Sequence, residues 1–165
     1  MRAVVIADTH VPRRAPDLPT ELWAAVDAAD VVVHAGDWVD VSLVHAIAAR
    51  CRLVGVYGNN DGPDVRALLP EVARAELGGV RVAVVHETGA AAGRDRRMAA
   101  AYGADTDLLV FGHSHIPWDT TAPGGPRLLN PGSPPDRRRH PTGTWVSLAL
   151  AGGTVRDVTW HEVVR

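Results

Sequence analysis

Residues 30–37 read Asp30-Val31-Val32-Val33-His34-Ala35-Gly36-Asp37. Consecutive β-branched residues with no polar alternation describe a strand buried on both faces, as in a parallel sheet covered by helices. Gly36 permits a tight turn where the strand stops, and the group delivered just beyond it is the carboxylate of Asp37. The neighbouring segments repeat this design. Arg2-Ala3-Val4-Val5-Ile6-Ala7 runs into Asp8-Thr9-His10, and Arg52-Leu53-Val54-Gly55-Val56 runs toward Gly58-Asn59-Asn60-Asp61. Between these runs the periodicity changes. In residues 18–29, Leu18, Leu22, Trp23 and Val26 share one helical face, with Glu21 and Asp27 off it. Residues 41–49 and 64–69 read as a second and a third, shorter helix. Strand–helix–strand alternation implies parallel strands joined by right-handed crossovers.

The pattern changes after residue 71. Residues 72–77 and 80–85 flank Gly78-Gly79, a hairpin signal, and His86 closes the second of these runs. Residues 94–102 are helical. Residues 107–111 form another buried run, which ends on Gly112-His113-Ser114-His115. From Ile116 onward the expected strands are short and separated by Pro/Gly turns: 118–121, 127–129, 144–150 and 155–160, the last two around Gly152-Gly153. The expectation is a single α/β domain over residues 1–165, with two mixed sheets packed face to face and helices outside.

Composition sets the bounds. A chain of 165 residues with 46% hydrophobic content suits one domain with a substantial core. No apolar run approaches the roughly 20 residues that a spanning helix requires, and the N-terminal apolar stretch is too short for a signal peptide. The single Cys51 excludes an internal disulfide and suits a reducing, cytoplasmic compartment. The net charge of −2 gives no field that favours nucleic acid. All 17 basic residues are Arg, so chemistry based on Lys is excluded.

Five sets of polar groups therefore sit where buried runs end: Asp8 with His10, Asp37, Asn59, His86, and His113 with His115. Ligands of open α/β sheets gather outside the carboxyl ends of the strands. Within the pairs Asp8/His10 and His113/His115, residues two apart in extended chain point the same way. Mixed imidazole and carboxylate donors suit Mn, Fe, Zn, Ni or Co rather than Ca or Mg. Two such ions roughly 3.5–4 Å apart need a shared carboxylate, clamp the attacking and leaving oxygens of an in-line displacement, and acidify a bridging water into the nucleophile.

In order, Asp-x-His, Gly-Asp, Gly-Asn-x-Asp, a single His after a strand and Gly-His-x-His resemble the calcineurin-like metallophosphoesterases, most of all the small phosphodiesterases of the YfcE type. The resemblance runs from Val4 through Asn130-Pro131-Gly132-Ser133. It implies a four-layer αββα sandwich of two mixed β-sheets flanked by helices. It implies two divalent metals per chain, Mn²⁺ first among them, with Asp8, His10 and His115 on one, Asn59, His86 and His113 on the other, and Asp37 bridging. It also implies a metal-bridging hydroxide nucleophile and a small phosphodiester or phosphate-ester substrate.

Two positions depart from that pattern. Where many of these enzymes place a proton-donating His after the Asn ligand, this chain has Asn60, whose amide can donate a hydrogen bond to phosphate but cannot act as a general acid. That favours diesters and activated esters. The residue after His86 is Glu87 rather than Gly, which reads equally as an acceptor for an imidazole N–H or as a solvent-facing side chain. Asp61 reads as an orienting or helix-capping carboxylate, and His34 as a buried support. Arg137, Arg138 and Arg139 read as a solvated loop, with phosphate recognition the alternative, and Arg13 and Arg14 have a comparable claim. The Trp residues read as core or interface anchors, with a pocket wall as the alternative for Trp38, next to Asp37. The rival reading is a catalytically weak protein-interaction scaffold of the same fold, for which a retromer subunit is the precedent. A nuclease is disfavoured by the absence of a basic surface signal, and a homo-oligomer is compatible with the sequence.

Overall fold

The computed structural model describes residues 1–163. Its first sheet joins β1 (Arg2–Ile6), β2 (Val31–His34), β3 (Arg52–Gly55), β9 (Gly143–Ala151) and β10 (Thr154–Val163) in the order β10-β9-β1-β2-β3. β1, β2 and β3 are parallel, and β9 and β10 complete the sheet as antiparallel neighbours. The second sheet joins β4 (Val72–Leu77), β5 (Val80–Val85), β6 (Leu108–Val110), β7 (Trp118–Thr121) and β8 (Arg127–Asn130) in the order β4-β5-β6-β8-β7. Here β5, β6 and β8 are parallel, with antiparallel β4 and β7 at the edges.

Pleat alternation sends one set of side chains into the space between the sheets. Val5, Val31 and Val33 of the first sheet meet Val82, Val84, Leu108 and Val110 of the second in one buried cluster. The opposite face of the first sheet carries Val4, Ile6 and Val32. They pack on Leu22 and Val26 of α1 (Thr20–Ala28), Leu43, Val44 and Ile47 of α2 (Val41–Ala48) and Val65 of α3 (Pro63–Leu68). The outer face of the second sheet, with Ala83, Leu109 and Phe111, packs on Met98, Ala99 and Tyr102 of α4 (Arg94–Tyr102). These are the four layers of the expected αββα sandwich. At roughly 1.5–3 kcal/mol per fully buried aliphatic side chain, the inter-sheet cluster is the main cohesive element.

Both diglycine hairpins form as expected. Gly78 and Gly79 have φ of 60° and 82°, and Gly152 and Gly153 have 56° and 73°, the positive pair that tight hairpin turns require. Trp38 takes the core role rather than the alternative one: it is fully buried on the helix side of the first sheet, where its Nε1–H donates to Val56 O at 2.9 Å. It walls no pocket, because an indole that size completes the hydrophobic layer under α2 instead.

Candidate metal centre

All seven proposed ligands lie past the carboxyl ends of β1, β2, β3, β5 and β6, and the two sheets bring those ends to one edge of the sandwich. The loops are laced by backbone. Asp8 N donates to Gly36 O at 2.9 Å, His10 N to Asp37 O at 3.0 Å and Gly112 N to His86 O at 3.0 Å. His113 N donates to Asp8 Oδ1 at 3.1 Å, tying one sheet to the other.

The way the pairs converge differs from the expectation of an extended chain. Asp8, His10, Asp37, His113 and His115 all have positive φ, between 47° and 68°. Left-handed turns beyond the strand ends, not the pleat, aim these side chains inward. Such conformations cost of order 1–3 kcal/mol each for non-Gly residues and cluster at functional sites. Close approach adds a second constraint: a Cβ on Gly58 would lie 2.2 Å from Asp37 Oδ1.

The donor atoms form two groups. In the first, Asp8, His10, Asp37 and His115 place their ligand atoms within 4.8 Å of one another, and all four residues are buried. His10 Nε2 lies 3.2 Å from His115 Nε2 and 3.7 Å from Asp37 Oδ2, and His115 Nε2 lies 3.5 Å from Asp8 Oδ1. In the second, Asn59 Oδ1 lies 2.9 Å from His86 Nε2 and 3.0 Å from His113 Nδ1, with His86 Nε2 3.4 Å from Asp37 Oδ1. Asp37 thus turns one oxygen to each group.

The chemistry of these contacts fits cations. His86 Nδ1 pairs with Ala35 O at 2.8 Å and His115 Nδ1 with Asp136 O at 2.5 Å. A carbonyl only accepts, so each Nδ1 carries the proton, and the neutral ring presents a lone pair at Nε2. His86 Nε2 then faces Asn59 Oδ1 and His115 Nε2 faces Asp8 Oδ1, acceptor against acceptor, and a cation between them removes the repulsion. Asp8 Oδ2 is buried without a hydrogen-bond partner. Ions held at about 2.0–2.2 Å keep their donors roughly 3–3.5 Å apart, which is close to the spacing present.

Electrostatics agree. Burial raises the Asp8 carboxyl well above its ordinary value and the Asp37 charge adds to this, while the His113 N–H and the Arg138 guanidinium oppose it. Burial lowers His10, and lowers His115 to about 4. Both shifts favour the neutral imidazole at His10 and His115, the form that ligation requires.

Behind the ligands stand supports. Asp61 accepts from Gly58 N at 2.7 Å, Asp37 N at 3.0 Å and Val39 N at 2.7 Å, stitching the β2 and β3 loops together. It orients, but it does not cap α3, whose N-cap is Gly62. Asn60 lies at the mouth, with its backbone N donating to Asp37 Oδ1 at 2.8 Å and its Nδ2 to Asp37 Oδ2 at 2.6 Å. Arg14 pairs with Asp136 at 3.4 Å, and Arg137 is spent inside its own loop on His140 O and Pro141 O. Sequence reasoning missed Ser133, whose Oγ donates to Asp8 O at 2.7 Å, and Asn130, whose Nδ2 donates to Gly112 O at 2.8 Å. Both are buried polar residues of the Asn-Pro-Gly-Ser turn, which was noticed only as a pattern.

His34 is the deepest support. Its Nδ1 accepts from Gly36 N at 3.1 Å, so Nε2–H donates to Thr9 Oγ1 at 3.0 Å, and its ring stacks on Trp38 at 3.4 Å. Burial holds its pKa well below 6.5. A folded pKa below the unfolded value contributes stability that is present above pH 6.5 and lost as pH falls through the folded pKa. In chelator, the stability advantage of the wild type over His34→Gln is therefore expected to shrink as pH drops below 6.5. Urea midpoints across that range check it, and a constant difference contradicts it.

The calcineurin-like phosphoesterase superfamily domain matches residues 1–153, and the chain belongs to that superfamily. A probable metallophosphoesterase of Methanocaldococcus jannaschii is 30% identical over 132 residues, which cover 79% of this chain and 66% of that protein's own length. A Thermotoga maritima protein solved in solution by NMR is 33% identical, with a TM-score of 0.75 over 98% of both chains. Vps29 of Chaetomium thermophilum shares the fold at 18% identity, with a TM-score of 0.79 over 99% of this chain and 97% of that one.

Proposed function

We propose that this chain is a dinuclear metal-dependent phosphoesterase that prefers phosphodiesters. The observation that carries the reading is the pair of donor groups sharing Asp37, with acceptors facing acceptors and Asp8 Oδ2 lacking a partner. Asp8, His10 and His115 would hold one ion and Asn59, His86 and His113 the other, with Asp37 between them. Bound, the ions would supply Lewis acidity to phosphoryl oxygens and acidify a water nucleophile; Mn²⁺ is the first candidate, with Fe, Zn, Ni and Co compatible with the same donors.

The chain's own residues set the limits. Asn60, at the mouth, donates a hydrogen bond to a phosphoryl oxygen once it leaves Asp37, but it holds no proton to give to a leaving alcohol. General acid help is worth typically 10²–10⁴-fold, so poor leaving groups turn over slowly and activated or diester substrates are favoured. Asp61 acts through the loops it ties and touches no substrate. Arg138 lies on an exposed loop and its charge acts on Asp8, as that of Arg14 acts on His10, which makes both candidates to meet a substrate phosphate.

Protein stripped by chelator and reloaded with Mn²⁺ is expected to hydrolyse bis(p-nitrophenyl) phosphate, and Asp37→Ala to reduce the rate to background. An active Asp37→Ala variant, or wild-type protein that binds no metal, defeats the proposal. The scaffold alternative requires protein that purifies with little metal. Against it, every donor position is filled here. Among the described residues no helix is long and apolar enough to cross a membrane.

A further inference from the structure

The carboxylate of Glu87 stands where the resembled pattern places glycine, and it lies beside the second donor group. Its Oε1 is 3.9 Å from His113 Nδ1, and the ligand atoms of His86, Glu87 and His113 fall within 4.8 Å of one another. The ring nitrogen it faces is decisive. An acceptor that merely orients a ligating imidazole sits on the nitrogen remote from the metal, as Ala35 O does for His86 and Asp136 O for His115. Glu87 instead faces Nδ1, the nitrogen of His113 that also points at Asn59 Oδ1 at 3.0 Å. It therefore sits on the metal side of the ring.

Charge makes the same argument. The first group has Asp8 as its own carboxylate plus a share of Asp37, whereas the second has two imidazoles, a neutral amide and the other share of Asp37. Glu87 supplies the carboxylate that the second group lacks. Its side chain is 54% exposed and lines, with Asn59 and His86, the wall of a cavity of about 400 Å³. It can swing onto an ion without rearranging the core.

We infer that Glu87 is an additional ligand of the second metal position, making this chain bind its second ion more tightly than Asn59, His86, His113 and the shared Asp37 alone would allow. The inference rests on the dinuclear reading above. Its test is equilibrium binding rather than turnover: isothermal titration of chelator-stripped protein with Mn²⁺, with bound metal counted per chain after dialysis against buffered metal. Wild type is expected to take two ions. Glu87→Gln is expected to keep the first affinity and to weaken the second by about 10–100-fold or more, the loss typical even for residues that only support a ligand. Glu71→Gln removes another carboxylate from the same cavity wall and is expected to leave both affinities unchanged. Glu87→Gln indistinguishable from wild type, or Glu71→Gln equally weakened, overturns the ligand role while leaving the dinuclear reading intact. Wild type that binds fewer than two ions overturns the dinuclear reading itself.

Discussion

Asp61→Asn is expected to lower the stability of the metal-free protein by about 2–4 kcal/mol and to abolish binding of both ions. The Asp61 carboxylate is buried and accepts three backbone N–H groups, from Gly58, Asp37 and Val39. An amide has one acceptor oxygen and one donor nitrogen. With the oxygen kept toward Gly58 and Asp37, the NH₂ confronts the Val39 N–H; turned round, it confronts the other two. Each buried N–H left unpaired costs about 1–3 kcal/mol, and bonds to a charged acceptor stand at the upper end. The functional loss follows from the same bonds. Asp37 and Asn59 sit on loops that Asp61 joins, and a shift of about 1 Å at a positioned group is enough to disable a site. Urea denaturation in chelator and metal counted per chain after dialysis check both halves. A variant within about 0.5 kcal/mol of wild type, the range of neutral surface changes, sinks the argument.

The residues that carry this prediction show what the sequence disclosed. The strands were legible because Val31-Val32-Val33 and Leu108-Leu109-Val110 are uninterrupted apolar runs, and the hairpins because two glycines in succession accept the positive φ that tight turns demand. Those signals depend on neighbours in the chain. The candidate donors stood out for a different reason: Asp, His and Asn at the ends of buried runs have few competing explanations when seven of them recur. How they converge was not legible. Left-handed φ at Asp8, His10, Asp37, His113 and His115 is imposed by loop–loop hydrogen bonds such as His10 N to Asp37 O and His113 N to Asp8 Oδ1, contacts across 27 and 105 residues that leave no mark on local composition. The dual facing of Asp37 and the approach of Glu87 to His113 Nδ1 were hidden for the same reason. Boundaries slipped where burial outlasted the strand: Phe111 is buried and extends the apolar signal, but the ladder keeps only Leu108–Val110.

Asp8→Asn is expected to raise the stability of the chelated protein while removing most of the stabilisation that metal confers. Burial is the largest cause of the raised Asp8 pKa, and the neighbouring Asp37 charge adds to it. A folded pKa above the unfolded value contributes stability that is fully present below pH 3.8 and is lost as pH rises through the folded pKa. At neutral pH without metal, the native state must either ionise Asp8 in a desolvated site beside Asp37 or keep it protonated while the unfolded chain releases the proton freely. Both routes favour unfolding, and Asp8 Oδ2 has no donor to offset either. The amide escapes the penalty: it carries no charge, and with its oxygen in the place of Oδ1 it keeps the bond from His113 N. Relief of an unpaired buried charge is worth about 1–3 kcal/mol, or roughly 2–10 °C in melting temperature for a chain of this size. Metal reverses the order, because the wild-type carboxylate gains the cation it lacks and the variant has only a neutral donor to give it. Thermal melts in chelator and in excess Mn²⁺ should therefore cross: the variant melts higher in the first and lower in the second. A variant that melts below wild type in both would mean that Asp8 is held by protein contacts alone, and a variant with an undiminished metal-induced rise would mean that it is not a ligand.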